Sequence, residues 1–210
     1  MRPAENHDMM TVMPKKSPPH PPVSRKEATH ARIVEVAARA IRRSGYAGTG
    51  VADIMKEAGL THGGFYAHFP SRDALLAEAG DLAGANSVAY AASIAASAPP
   101  GEALQRIMQA YLSDEHMVSI ENGCPVSALG SEMPRQVEAV RHTATTHIKE
   151  MIDLFARQMP EWGTSEAHDK AMMLACGLIG TTIIARAVDD PNLSKALRNA
   201  VLKQLLPVAT

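Results

Sequence analysis

Val51-Ala52-Asp53-Ile54-Met55-Lys56-Glu57-Ala58-Gly59-Leu60-Thr61-His62-Gly63-Gly64-Phe65-Tyr66-Ala67-His68-Phe69-Pro70-Ser71 is the stretch whose reading decides the fold. Val51, Ile54, Met55 and Ala58 recur at helical spacing and give a short helix one inward face. Gly59 ends that helix, because only glycine enters the left-handed conformation of a helix stop without strain. Leu60 plugs the corner and Thr61 stands where it can cap a third helix. Pro70 stops that helix in turn, and Ser71 caps a fourth with Asp73 in its favourable first turn.

Working outward, Ser24-Arg25-Lys26-Glu27 reads as a capping box that opens the first helix. Ile33, Val36, Ala37, Ala40 and Ile41 form its apolar face, Arg32, Arg39, Arg42 and Arg43 fall mainly off that face, and Gly45 supplies the stop. Downstream the pattern is helical throughout, over 72–97, 102–121, 134–159, 165–188 and 192–206. Breaks fall at Pro99-Pro100-Gly101, Gly123-Cys124-Pro125, Pro160 to Gly163, and Pro191. Period-2 alternation is nowhere sustained, so the fold class is all-α. Residues 1–23 hold six of the 14 prolines and read as a disordered tail.

Two short helices joined at a Gly-containing turn form a helix-turn-helix, whose second helix enters the DNA major groove. Two adjacent glycines, Gly63 and Gly64, stand in the first turn of that second helix. Each costs roughly 1 kcal/mol in helix propensity, so stability alone does not select them. A backbone that presses against DNA gains from lacking side chains there, and free N–H groups at the helix start suit a phosphate.

With these residues in view, 29–79 resembles the N-terminal domain of the TetR family of bacterial transcriptional regulators. The resemblance is carried by Gly48-Thr49-Gly50-Val51-Ala52-Asp53-Ile54, Ala58-Gly59-Leu60-Thr61, Gly63, Phe65-Tyr66-Ala67-His68-Phe69 and Ser71-Arg72-Asp73-Ala74-Leu75-Leu76. It implies that Thr61 caps the recognition helix, that His62, Gly63 and Gly64 lie nearest the base edges, and that Tyr66, His68 and Arg72 donate to phosphates. By the same resemblance Thr49 and Gly50 approach the DNA backbone at the start of the second helix, while Phe65 and Phe69 are core. Three positions depart from the family pattern. His62 stands where many members have Lys, Gly50 replaces a commoner Ser or Thr, and Met55 replaces a usual Ala.

Charge is distributed in accord with a DNA-binding head. Residues 1–72 carry 11 Lys/Arg against 6 Asp/Glu, whereas 73–210 carry 10 against 16, within a chain of net charge −1. A basic head on an acidic body points to a polyanion partner for the head alone. Two cysteines among 210 residues rule out a disulfide scaffold. The N-terminus lacks a secretory signal, and the apolar run 171–185 is short of the ~20 residues that span a bilayer, so it reads as a buried helix of a cytoplasmic protein with no membrane partner. Hydrolase, metalloprotease, phosphate-loop and zinc signatures are all missing from the sequence, so no catalytic residue, cofactor or metal is expected.

The expected domains are the tail 1–23, a helix-turn-helix domain over 24–71 and a regulatory and dimerisation domain over 72–210. The resemblance implies a homodimer that binds a palindromic operator and a body that holds an inducer pocket. The last two helices look like the dimerising pair, with Ala175, Gly177 and Gly180 permitting close approach. Flexible Met108, Met117, Met151 and Met172 are candidate pocket residues for an apolar inducer. Cys124, in Asn122-Gly123-Cys124-Pro125, is a redox candidate with His116 or His142 as its helper, and Cys176 reads as inert packing. The whole reads as a ligand- or redox-responsive repressor. The alternatives are a small helical enzyme with Cys124 as nucleophile and a protein–protein adaptor.

Overall fold

The computed structural model describes residues 24–205, which form helices connected by turns, with no strand among them. The expectation for residues 1–23 lies outside the described residues. α1 (Arg25–Ser44) opens with the capping box: Ser24 N–H donates to Glu27 Oε2 at 2.8 Å, and Glu27 N–H donates back to Ser24 Oγ at 3.2 Å. Gly45 ends it at φ +76°, and it has a second reason to be glycine. A Cβ there would stand 2.2 Å from the Glu132 carboxylate.

α2 (Val51–Glu57) starts at Gly50, which offers no side-chain cap, and is followed by Gly59 at φ +71°. The recognition segment His62–Ala67 then winds as a 3-10 helix, tighter than the α-helix expected from the sequence. Thr61 sits at its N-cap, but its hydroxyl makes no capping bond. Ser71 does cap α3 (Arg72–Ser97), accepting from Ala74 N–H at 3.1 Å.

α3 is the axis of the molecule. Leu75, Leu76, Ala79 and Ala83 on its first half pack with Ile33, Ile41, Ile54, Phe65 and Phe69 in one core, which Leu129 and Val140 also enter. Its second half, through Ala91, joins a separate core with Ile107, Met108, Phe155, Leu174 and Leu178. The head is therefore seated on the body through one continuous helix and shared packing.

The stretch expected as one helix over 102–121 is broken. α4 (Ala103–Tyr111) stops at Leu112, and Ser113 caps a new short helix, α5 (Asp114–Val118), by accepting from His116 N–H. A 3-10 turn Ile120–Asn122 and α6 (Pro125–Leu129), with Pro125 at its first turn, follow. The helix expected from 134 begins later, as α7 (Glu138–Ala156), after a 3-10 turn Met133–Arg135. α8 (Ser165–Ala187) and α9 (Pro191–Leu205) complete the described chain.

Within the single chain α8 is buried on one face, and part of the run 171–185 that was expected to be buried lies on the outside. Ala171, Leu174, Ala175 and Leu178 lie in the second core, while Met172, Met173, Cys176, Ile183 and Ile184 are exposed. By length and composition α8 passes as a membrane span, yet its core-facing side packs against α7 and α9.

Candidate nucleic-acid interface

The recognition segment stands on a core anchor. Phe65 and Phe69 are buried, stacked at a centroid distance of 5.6 Å, and Phe69 stacks on His30 of α1 at 4.4 Å. With those two rings inward, Thr61, His62, Gly63 and Tyr66 are left on the outside, Tyr66 at 74% exposure.

Gly63 and Gly64 differ. At Gly64 a Cβ would meet Met55 Cε at 3.7 Å, so the uncommon Met55 fills the space beneath that glycine. At Gly63 a Cβ would meet nothing within 4 Å, and its φ is not in the left-handed range. Nothing among the described residues requires glycine at 63.

Two residues expected at phosphates also have partners within the chain. Thr49 is 4% exposed, and its hydroxyl donates to the Gly45 carbonyl at 2.6 Å. Arg72 is half-buried and donates to the carbonyls of Tyr46 and of Thr49, the latter at 3.1 Å. Both side chains hold the α1–α2 corner together, because a turn with few amide partners leaves carbonyls that a cation satisfies well. The Thr49 hydroxyl is committed to this corner, whereas Arg72 uses only Nη2 there and its Nε and Nη1 make no hydrogen bond among the described residues. His68 is half-buried beside Phe69, with its Nδ1 buried and without a partner.

Comparison with known proteins bears directly on this arrangement. Residues 33–79 match the model of the tetR family of bacterial regulatory proteins, and residues 100–200 match the LmrA/YxaF-like transcriptional regulator C-terminal domain. The chain is 30% identical over 138 residues to the uncharacterized HTH-type transcriptional regulator YxaF of Bacillus subtilis (strain 168), covering 64% of this chain and 72% of that one. This chain belongs to the TetR family. It is also 27% identical over 141 residues to the HTH-type transcriptional regulator LmrA of the same organism, covering 66% and 75%. Two solved structures share the fold. A TetR-family regulator from Agrobacterium tumefaciens has TM-score 0.72 and 21% identity, covering 85% of this chain and 98% of that one. The reduced form of E. coli NemR has TM-score 0.72 and 17% identity, covering 87% and 100%. The protein is a transcriptional regulator with a helix-turn-helix head.

In this TetR-family chain the head is tied to the body by side chains that the sequence did not reveal. Arg42, expected off the apolar face of α1, is 5% exposed. Its Nε donates to the Ala38 carbonyl at 3.0 Å and its Nη1 to the Gly123 carbonyl at 3.1 Å. Next to it Arg43 pairs with Glu57 of α2 at 2.9 Å and with Glu121 of the body at 3.0 Å. Glu132 accepts from Ala47 N–H at 3.2 Å.

The body contains an apolar cavity between α3, α7 and α8, lined among others by Tyr111, Cys124, Met151, Phe155 and Leu178. Of the four candidate methionines only Met151 lines it. Met108 is wholly buried in the second core, Met117 is half-buried and lines no described cavity, and Met172 lies on the outer face of α8. His116 is committed: its Nδ1 bonds to the Tyr111 carbonyl and its Nε2 accepts from Cys124 N–H at 3.3 Å. Burial pushes its pKa down, so a neutral ring with both nitrogens engaged stands beside Cys124. It is not a base for the thiol. His142 belongs to α7, whereas Cys124 caps α6. Cys176, expected as inert packing, is exposed.

Proposed function

We propose that this regulator is a repressor that binds a palindromic operator as a homodimer and is released by a small-molecule inducer held in the body. Gly63 carries the DNA-reading part. Its missing side chain serves nothing among the described residues, and a glycine on an outer face suits a surface that another backbone or base edge must approach closely. Thr61, His62, Gly63, Gly64 and Tyr66 then face the groove, with Gly50 and His68 at its margins.

The dimer reading rests on the outer stripe of α8. Met172, Met173, Cys176, Ile183 and Ile184 form an apolar row that water alone would cover, with Gly180 in its middle, where a Cβ would meet nothing. A second α8 laid against this row forms a two-fold interface, and the two recognition segments then meet half-sites about one DNA turn apart, ~34 Å or a multiple.

Release follows from the turn at 120–124. Asn122, Gly123 and Cys124 line a second chamber that shares Tyr111, Cys124 and Met151 with the first cavity, while Glu121 and Gly123 grip α1 through Arg43 and Arg42. A ligand that displaces this turn moves the head, and the coupling is reciprocal, so operator DNA weakens the ligand by the same factor. A ligand is favoured over an oxidant because the thiol of Cys124 has no activating base.

Selection of binding sites from a random DNA pool tests this reading. The expected result is an enriched inverted repeat bound by an even number of protomers. A pool that stays random after repeated selection contradicts it.

A further inference from the structure

The cavity in the body has two chambers that share Ser87, Tyr111, Cys124 and Met151 as a partition. They are narrow, with volumes of about 40 Å³ and 60 Å³. A ligand of ten heavy atoms therefore fits only by turning the Met151 chain or the Tyr111 ring aside. The first chamber is walled by apolar groups such as Ile148, Phe155, Leu178 and Ile179. The second adjoins a solvent-open recess through Tyr90, Ala110, His116, Asn122 and Gly123, which gives an entry path.

Two polar groups at the partition lack what burial demands. The Tyr111 hydroxyl is buried and makes no hydrogen bond of good geometry, although the Cys124 thiol and the Ser127 hydroxyl stand close to it. Burial, and then Cys124, hold its pKa well above the ordinary tyrosine value, so it remains a proton donor at any physiological pH. Behind it stands Arg186 of α8, which donates to the carbonyls of His116 (2.6 Å) and Met117 (3.3 Å) and to Ser127 Oγ (3.2 Å). All three acceptors are neutral, and no carboxylate among the described residues pairs with this guanidinium. Burial lowers its pKa, the signature of a cation lacking a counter-charge. Of the other charged groups near the cavity, His147 pairs with Asp81 and Glu150, Arg198 with Asp114 and Glu121 with Arg43, while Arg42 at the open recess bonds only to the neutral carbonyls of Ala38 and Gly123. Glu115 is exposed at the open recess.

We propose that the ligand is a small apolar organic acid, a carboxylate or phenolate whose oxygen accepts the Tyr111 hydroxyl hydrogen bond within the field of Arg186 while its apolar body fills the chamber along α7 and α8. This rests on the reading of the cavity as the inducer site. The charged oxygen completes a donor that is otherwise orphaned and supplies the negative charge that Arg186 lacks, and such charge-assisted bonds are stronger than neutral ones.

Octanoate, octanol and octylammonium carry the same chain on three head groups and serve as probes. Calorimetric titration of the full chain at neutral pH is expected to show octanoate binding at least tenfold tighter than either of the others. Tyr111→Phe, which keeps the ring, lowers octanoate affinity about tenfold. Arg186→Lys keeps the preference for the acid and Arg186→Gln abolishes it. Octylammonium or octanol binding as tightly as octanoate, no binding of any probe, or a Tyr111→Phe protein that binds octanoate like wild type overturns the proposal. Operator release measured with the same probes separates the two readings. Release by octanol or octylammonium but not octanoate overturns the acid preference and leaves the inducer site standing. Acid-selective binding without release contradicts the inducer reading and keeps the ligand class.

Discussion

The guanidinium of Arg42 reaches 3.1 Å from the carbonyl of Gly123, joining α1 of the DNA-binding head to the turn beside the body's cavity across 81 residues of sequence. Both partners are buried, and the same guanidinium also satisfies the Ala38 carbonyl at 3.0 Å. Arg43 and Glu121 repeat the connection one residue further on.

Replacing Arg42 by Met removes the only side-chain donor described at Gly123 and leaves its carbonyl buried and unpaired. Stability falls by about 1–3 kcal/mol, the cost of an orphaned polar group. In a protein that still folds, an inducer releases operator less effectively than in wild type. Thermal melts and release titrations check both parts, and unchanged release would remove the turn from the coupling route.

Tyr66→Phe deletes one hydroxyl from a ring that is already on the outside. Operator affinity falls roughly tenfold, the loss of about 1.4 kcal/mol expected for a bond to a charged group. The melting temperature stays the same. A drop in stability without a change in binding would make Tyr66 a structural residue.

Ile184→Lys places a charge in the outward row of α8, where Ile184 is 52% exposed in the single chain. The protomer has nothing to lose, so folding is unaffected, while a two-fold interface would bury two like charges against each other. Sedimentation should show the mass halving. A dimer that survives the substitution would place the interface elsewhere.

His147 governs part of the pH response. Its ring occupies the space left by Gly84, where a Cβ would stand 2.3 Å from Cδ2, and bonds to Asp81 at 2.9 Å and Glu150 at 2.7 Å. Burial works against the charged ring, but the hydrogen bonds to the two carboxylates outweigh it and raise the pKa above the ordinary value. The folded state therefore favours the protonated ring. Its stabilisation is complete below about pH 6.5, the unfolded value, and is lost as pH rises through the higher folded value. Melts between about pH 6 and 9 should show this loss in wild type and not in His147→Gln. Parallel curves would contradict it.

Local signals in the sequence were strong where the physics is local. The Ser24–Glu27 box, the stops at Gly45 and Gly59, the cap at Ser71 and the inward Phe65 and Phe69 depend on neighbours within a few residues, and all are present in the structure. Arg42 was misread because its partner lies 81 residues away, and nothing in a helical wheel distinguishes a solvated arginine from a strut. The internal bonds of Arg72 and Thr49 were hidden for a related reason: carbonyls of the 45–50 turn accept from the same donors that a phosphate would use. The break at Ser113 was legible as an N-cap residue followed by two acids, Asp114 and Glu115, but apolar spacing carried the helix through it. Tyr111 and Arg186 gave no sequence signal, since an orphaned hydroxyl and an unpaired cation are properties of burial, not of pattern.

Whether the face carrying Gly63 reads DNA is decided by titrating wild type and Gly63→Ala against operator DNA with unlabelled competitor at several salt concentrations. Alanine fits at 63 without a clash and should leave stability equal or slightly higher, by up to about 1 kcal/mol. Wild type should bind in a salt-sensitive, competitor-resistant way, and the equally stable variant should lose that binding. A Gly63→Ala protein that binds operator as tightly as wild type would contradict this.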